Sequence, residues 1–270
     1  MEYNSISEFV RMMDVRGKPF FTKDDVTSAF PSMNQHAITN SLSRLIEHKI
    51  IISPWRCFYV IVATEYKLKG IVPPSFYIDQ LMKFLGRNYY VSLLSAASIH
   101  GAAHQRPQNF TVMVDGDAIR GGLKNGTELI FNRRKELCLV EIQKVKTQTG
   151  YMNVSSPLLT ALDIICNENQ IGGISRAAEV ITEMAERIDF LGYKSDVLNY
   201  FPTAVVQRLG YILEIIGEKD KGDELFSMCD KNGVKFRLAA LKPSKLAKEG
   251  DEKNNRWKLI INQEIEADEI

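Results

Sequence analysis

The apolar and polar positions of the first sixty residues predict three short helices and a β-hairpin. From Asn4 to Val15 the apolar residues recur at helical spacing, and Gly17-Lys18-Pro19 ends that first helix. Phe20-Phe21-Thr22 begins the second helix, because Thr22 can cap the first turn and Asp25 places a carboxylate at its positive end. Pro31 stops it.

A third helix is predicted from about Asn34 to Lys49, after a cap at Ser32 or Asn34. Its inward stripe is formed by Ile38, Leu42, Leu45 and Ile46. The strands Ile50–Ile52 and Phe58–Val62 then form a hairpin, with a basic turn at Ser53–Arg56. This order of elements is typical of a winged helix-turn-helix, which places its last helix in the DNA major groove.

The outer face of the third helix is polar and carries the side-chain types that bind DNA. Asn and Gln can hydrogen-bond to adenine, Arg can bind guanine, and the basic residues can also hold phosphates. The predicted DNA-binding residues are Gln35, His36, Thr39, Asn40, Ser43, Arg44, Lys49 and Arg56. The alternatives are a helical hairpin whose polar face is only solvated, and a winged helix that binds protein.

The remainder of the chain predicts a second, larger domain of the α+β class. Pro73-Pro74 marks a linker, so the predicted domains are residues 1–72 and 76–270. The second begins with helices near Tyr77–Gly86 and Val91–Ala103, and continues with a small sheet and a helical bundle. Its predicted strands are Phe110–Val114, Glu128–Phe131, Leu137–Val145 and Tyr151–Val154, and later Val234–Leu241 and Arg256–Ile261. Its later helices are predicted at Leu158–Asn167, Ser175–Glu186, Asp189–Tyr200, Thr203–Ile216 and Lys221–Lys231.

Composition narrows the class of protein. The 270 residues are 45% hydrophobic and 25% charged with a formal net charge of +1, as in ordinary globular proteins. No apolar run reaches the roughly 20 residues of a membrane span, and the start lacks the features of a signal peptide. The four cysteines form no CxxC pair. We therefore expect a cytoplasmic protein with reduced core thiols, no bound metal and no cofactor.

Taken whole, the chain resembles the AbiEi antitoxins of the AbiE abortive-infection toxin–antitoxin systems. The resemblance rests on the winged helix, on the stretch YYVSLLSAASIHGAAHQRPQ at residues 89–108, and on Pro157, Ala161 and Asp163 at the head of a long helix. It extends to about residue 230.

The resemblance implies two roles for the protein. The winged helix would bind inverted repeats in its own promoter and repress the operon, as a dimer or as monomers that bind cooperatively. The C-terminal domain would counteract a nucleotidyltransferase toxin without a stable complex, which makes the system type IV. Such a protein is not an enzyme.

A cluster of basic residues suggests where antitoxin activity lies. Between Ile119 and Gly150, cations outnumber the three glutamates. We predict an antitoxin surface there, with Arg106 added from the preceding stretch: Arg106, Arg120, Lys124, Arg133, Arg134, Lys144 and Lys146. The solvated face of a sheet is the alternative.

The competing hypothesis is a metal-dependent nucleic-acid enzyme guided by the winged helix. Its metal ligands would be Asp115, Asp117 and Glu141. Gly116 between the two aspartates favours a turn instead. His100 and His104 have the spacing of two metal ligands, but a core or capping role fits them better because no third ligand is evident. A transcription factor with a small-molecule sensor domain is a third possibility.

Overall fold

Residues 3–68, 70–102, 107–190 and 195–265 are described by a computed structural model, which shows an α+β protein. Its N-terminal part contains three helices and a small antiparallel sheet. The helices are α1 (Ile6–Val15), α2 (Lys23–Ala29) and α3 (Gln35–Glu47). The strands, in the spatial order β1-β3-β2, are β1 (Phe20–Thr22), β2 (Ile51–Trp55) and β3 (Phe58–Ile61).

Local details of this part both confirm and correct the sequence predictions. Thr22 and Asp25 form the expected capping box on α2, and Asn34 caps α3. Phe20–Thr22, however, pair with β3 as a strand before α2 begins. Ile46 is 37% exposed and does not belong to the buried stripe of α3. The hairpin turn is Arg56-Cys57, with Cys57 in the left-handed region at a φ of 63°.

Helix α4 (Pro74–Leu85) leads into a mixed sheet of six strands. Their spatial order is β6-β7-β5-β4-β9-β8, where β4 runs antiparallel to β5 and parallel to β9. The strands are β4 (Tyr89–Val91), β5 (Asn109–Val114), β6 (Gly122–Lys124), β7 (Thr127–Arg133), β8 (Ile142–Thr147) and β9 (Gly150–Ser155).

Two sequence predictions fail in this region. The helix expected at Val91–Ala103 is replaced by β4 and the shorter helix α5 (Leu93–Ile99). The strand expected at Leu137–Val145 begins only at Ile142, because Leu137 and its neighbour turn inward and are buried before the strand starts.

The helices that follow the six-stranded sheet pack against one of its faces and lead to a second small sheet. They are α6 (Pro157–Cys166), α7 (Glu168–Ile171), α8 (Ile174–Met184), α9 (Thr203–Ile215) and α10 (Lys219–Lys231). The last sheet has the order β10-β12-β11, formed by β10 (Ala239–Ala240), β11 (Glu252–Asn254) and β12 (Leu259–Ile261).

Two further predictions change in this part of the chain. In place of the helix expected at Asp189–Tyr200, the structure has a 3₁₀ segment at Ser195–Tyr200, and residues 191–194 lie outside the described part. The cysteines are free, but Cys166 is exposed and is not a core thiol. No helix in the described ranges is long and apolar enough to cross a membrane.

The central strands of the six-stranded sheet, β4 and most of β5, are buried on both faces. Tyr90 and Met113 point into the core formed with the helices α5 to α10. Their neighbours in sequence, such as Val91 and Val112, point into a second core on the opposite face. Successive side chains of a β-strand point to opposite faces of the sheet, so in a strand that is buried on both faces they enter two different cores.

The second core also includes one face of the N-terminal sheet. Ile52, Phe58 and Val60 pack there with α4 and the six-stranded sheet, whereas the alternate residues, such as Ile51 and Tyr59, pack against α1 to α3. Aromatic rings bridge the two parts, with centroids 5.8 Å apart for Phe20 and Phe76, 5.5 Å for Phe58 and Phe84, and 6.1 Å for Trp55 and Phe131. A continuous apolar core therefore joins the two predicted domains.

An ion pair inside the protein connects the end of β7 to α6. The Arg134 Nη1 atom lies 2.6 Å from Asp163 Oδ1, and the two side chains are 17% and 1% exposed. Arg134 also donates to the Tyr200 carbonyl at 2.8 Å and to the Tyr90 hydroxyl at 3.3 Å, and its guanidinium lies 4.1 Å from the centre of the Phe201 ring. Burial raises the pKa of Asp163 to about 6, against the opposing charge of Arg134.

We expect Arg134→Ala to lower the free energy of unfolding by about 3–5 kcal/mol, because it leaves the buried Asp163 carboxylate without its cation. Arg120→Ala, at an exposed position, should change it by less than about 0.5 kcal/mol. Urea unfolding monitored by circular dichroism measures both. Equal stability of the two variants would contradict a structural role for the Arg134–Asp163 pair.

Candidate nucleic-acid interface

The polar face of α3 is the first candidate site. Gln35, His36, Thr39, Asn40, Ser43 and Arg44 are all exposed there. The buried residues Ile38, Leu42 and Leu45 hold the opposite side of the helix in the core. The predicted residues of α3 are thus brought together on one exposed helical surface.

Helix α2 adds a cation to this face that the sequence reasoning did not select. Lys23 Nζ donates to Thr39 Oγ1 at 3.3 Å, and Gln35 Nε2 donates to Thr27 Oγ1 at 3.3 Å. Lys23 therefore lies beside the first turns of α3. In the sequence, Lys23 could have been selected from its position at the start of the helix that precedes α3.

The two remaining predicted DNA contacts lie apart from this face. Arg56 is exposed at the hairpin tip, as predicted. Lys49 follows the end of α3 with a φ of 55°, and its stem lies against Gly70: a Cβ built on Gly70 would stand 2.8 Å from Lys49 Cδ. Lys49 therefore belongs to the junction between the N-terminal part and the following segment.

The basic residues predicted as one antitoxin surface are separated by the sheet. Lys124 lies on the edge strand β6, and Lys144 and Lys146 lie on the opposite edge strand β8. Five strand spacings of about 4.8 Å place these edges about 24 Å apart. Proximity in sequence therefore does not make this cluster a single patch.

Several of these cations already have internal partners. Arg134 is held by Asp163, Arg133 Nε donates to the Gly116 carbonyl at 2.7 Å, and Lys124 Nζ lies 5.2 Å from the centre of the Trp55 ring. Arg120, Lys144 and Lys146 are exposed, and Arg106 lies outside the described residues. The structure thus leaves two separate groups of accessible cations.

The three acidic residues of the metal-enzyme hypothesis do not converge. Asp115 follows the end of β5 at the level of Asn88, which donates to it through its backbone and side-chain nitrogens at 3.1 and 2.7 Å. Glu141 precedes β8 at the other end of the strands, roughly 16 Å away along the strand direction. Gly116 has a φ of 68°, which confirms a turn between Asp115 and the exposed Asp117.

His100 has a structural environment. Its Nε2 lies 2.7 Å from the Ser155 carbonyl, and the side chain is 6% exposed. Burial, with a smaller contribution from the Arg187 charge, lowers its pKa. His104 lies outside the described residues. Among those residues, no three His, Cys, Asp or Glu side chains are grouped to hold a metal ion.

Comparisons with known proteins complete the description. Residues 90–215, from β4 to the end of α9, match the family described as AbiEi antitoxin C-terminal domain. The Rv2827c protein from Mycobacterium tuberculosis has a similar solved structure, with a TM-score of 0.67 and 12% sequence identity over 96% of this chain and 92% of that one. No curated protein sequence matches the chain. The structural likeness, at this identity, concerns the fold alone.

We expect acid to destabilise the protein through His100. Because the pKa of His100 is lower in the folded state, the unfolded state binds a proton first as the pH falls below about 6.5, and stability is lost from there downward. His100→Gln keeps a side-chain nitrogen that can donate to Ser155 but cannot be protonated. Urea titrations at about pH 7.5 and about pH 5.5 should therefore show a smaller loss in the variant. Parallel losses would refute this role.

Proposed function

We propose, from the match of residues 90–215 to the AbiEi antitoxin C-terminal domain, that the chain is an AbiEi-type antitoxin that also represses its own operon by binding inverted repeats in the promoter. In this proposal, residues 3–62 are a winged helix-turn-helix, with α3 as the recognition helix and the β2–β3 hairpin as the wing. The observation that carries the proposal is the exposed polar face of α3, flanked by Lys23 and ending in Arg44.

The chemistry of this face suits a B-DNA major groove, which is about 12 Å wide and accepts one α-helix. Asn40 and Arg44 follow each other at one-turn spacing and offer an amide for adenine and a guanidinium for guanine. Lys23 and the wing-tip Arg56 would hold the phosphates on either side.

The expected partners follow from the family and from the form of the operator. Inverted repeats require two copies of the chain, bound as a dimer or as monomers that cooperate. The functional partner of the antitoxin domain is a cognate nucleotidyltransferase toxin, which we propose is counteracted without a stable complex, in the cytoplasm. This makes the system type IV.

Antitoxin activity, in this proposal, resides in the α+β domain and uses exposed cations. Of the predicted surface, Lys144 and Lys146 on the edge strand β8 are exposed and lie side by side on alternate residues. Because alternate residues of a strand share one face, the two ammonium groups form one positive site. We propose this site, rather than the cation-rich segment as a whole, as the antitoxin surface.

A catalytic role has less support. The separation of Asp115 from Glu141 prevents them from binding one metal ion together, and the family match is to an antitoxin domain. We therefore propose a binding and regulatory protein rather than an enzyme.

We expect Arg44→Ala to weaken binding to the upstream DNA by about 1–3 kcal/mol, because a bidentate arginine–guanine contact is lost. The measurement is a fluorescence-anisotropy titration of the full chain with upstream and scrambled duplexes, at about 50 and 200 mM salt. The full chain is needed because the hairpin is packed on the second core.

Arg237→Ala is the matched control, since it removes one exposed positive charge outside the N-terminal part. It should keep the preference for the upstream duplex. If the wild-type protein binds both duplexes equally, autorepression through this face is wrong. If the wild-type protein prefers the upstream duplex but Arg44→Ala binds that duplex just as tightly, the assignment of Arg44 is wrong.

For the antitoxin surface, we expect Lys144→Glu with Lys146→Glu to abolish protection when the chain is co-expressed with its toxin, because the positive site is inverted. Growth after toxin induction is the measurement. Lys231→Glu with Lys235→Glu makes the same charge change at exposed positions elsewhere and should still protect. Full protection by the β8 variant, with normal expression, would exclude this site.

A further inference from the structure

A cleft behind the end of α3 has the properties of a ligand site that the proposed function does not use. It has a volume of about 540 Å³ and lies between α1, the last turn of α3 and the segment after β3. Pockets of roughly 300–1,000 Å³ are the usual size for small-molecule ligands. The cleft is therefore large enough for a small organic molecule.

The floor of the cleft is aliphatic. Val10, Leu45, Ile61 and Val62 line it, and each is at least nine-tenths buried, while Ile50 is 41% exposed at its side. As far as the described residues form it, the lining contains no Phe, Tyr or Trp side chain. This favours an aliphatic ligand body over a nucleobase, which proteins bind by stacking.

The rim of the cleft is positively charged. Arg11, Lys49 and Lys67 line it together with His48, and the carboxylate of Asp14 is the only acidic group that does so among the described residues. All five side chains are exposed, and none of the three formal cations has an ion-pair partner in the described part of the chain. The excess charge is therefore available to an anion.

The backbone at Lys49 gives an independent indication. Lys49 follows the C-terminal cap of α3 in the left-handed conformation, with hydrogen bonds from Lys49 to Ile46 and from Ile50 to Leu45. Glycine is the usual residue at this position, because a side chain adds strain there. A lysine nevertheless occupies this position, and it lines the cleft.

The charge of the helix end accounts for only part of the rim. Cations at the C-terminus of a helix are stabilised by its dipole, which applies to His48 and Lys49. Arg11 lies within α1, four residues before its end at Val15, so its charge is not explained in this way.

The cleft also opens away from the proposed DNA-binding face. At 3.6 residues per turn, Leu45 projects about 140° from Asn40 around α3. A DNA phosphate backbone on the polar face would therefore not fill it, and DNA has no alkyl chain for its floor. We propose that this cleft binds a small amphipathic carboxylate, with its alkyl body on the aliphatic floor and its carboxylate at Arg11, Lys49 and Lys67.

The test is isothermal titration calorimetry of the full chain with acetate, butyrate and octanoate, using octanol and inorganic phosphate as further probes. Each methylene buried on the floor should tighten binding about fourfold. Octanoate should therefore bind best, and at a single site. Octanol should bind more weakly because it lacks the charge, and acetate and phosphate should bind more weakly because they lack the alkyl body.

Arg11→Gln with Lys67→Gln should weaken octanoate binding at least tenfold, whereas Lys231→Gln with Lys235→Gln should bind like the wild type. Absence of saturable octanoate binding, an affinity that does not depend on chain length, or equal binding by both variants would overturn the proposal. No DNA is present in this titration, so its result is independent of the outcome for autorepression.

Discussion

Burial of the small N-terminal sheet on both faces is the constraint on which the arrangement of the molecule depends. A three-stranded sheet normally covers one core and leaves its other face to solvent or to a partner. Here, one set of alternate residues closes the core of α1 to α3, and the other set, including Phe58 and Val60, closes the core over the six-stranded sheet. Because the same short strands complete two cores, the orientation of α3 relative to the six-stranded sheet is fixed by packing.

The Arg134–Asp163 pair has a comparable role on the far side of the six-stranded sheet. It holds the end of β7 against α6, and the Tyr200 carbonyl brings in the 3₁₀ segment. Such a pair is costly to desolvate, and its guanidinium is satisfied only because three further groups surround it. An arginine that looks like part of a basic surface in the sequence is therefore a component of the core.

Helical periodicity predicted α1 and α3 correctly, because each has one apolar face and a capping residue at its start. It failed at β4, since Tyr89-Tyr90-Val91 is buried on both faces and shows no alternation of polarity before a helical segment. The exposed face of α3 was predictable for the same reason that its buried face was. The division of the basic cluster and the separation of Asp115 from Glu141 were not, because both depend on strand order and direction, which no local pattern specifies.

The doubly covered N-terminal sheet limits how this protein can be recombined with its relatives. A DNA-reading module that is joined by a flexible linker can be exchanged between proteins as a unit, because nothing on its surface has to match the new host. In this chain, an exchanged module would need side chains shaped to fit α4 and the six-stranded sheet, as Phe20, Trp55 and Phe58 do now. Substitutions on the solvent side of α3 are free of that requirement, because Gln35, Asn40 and Arg44 are exposed there.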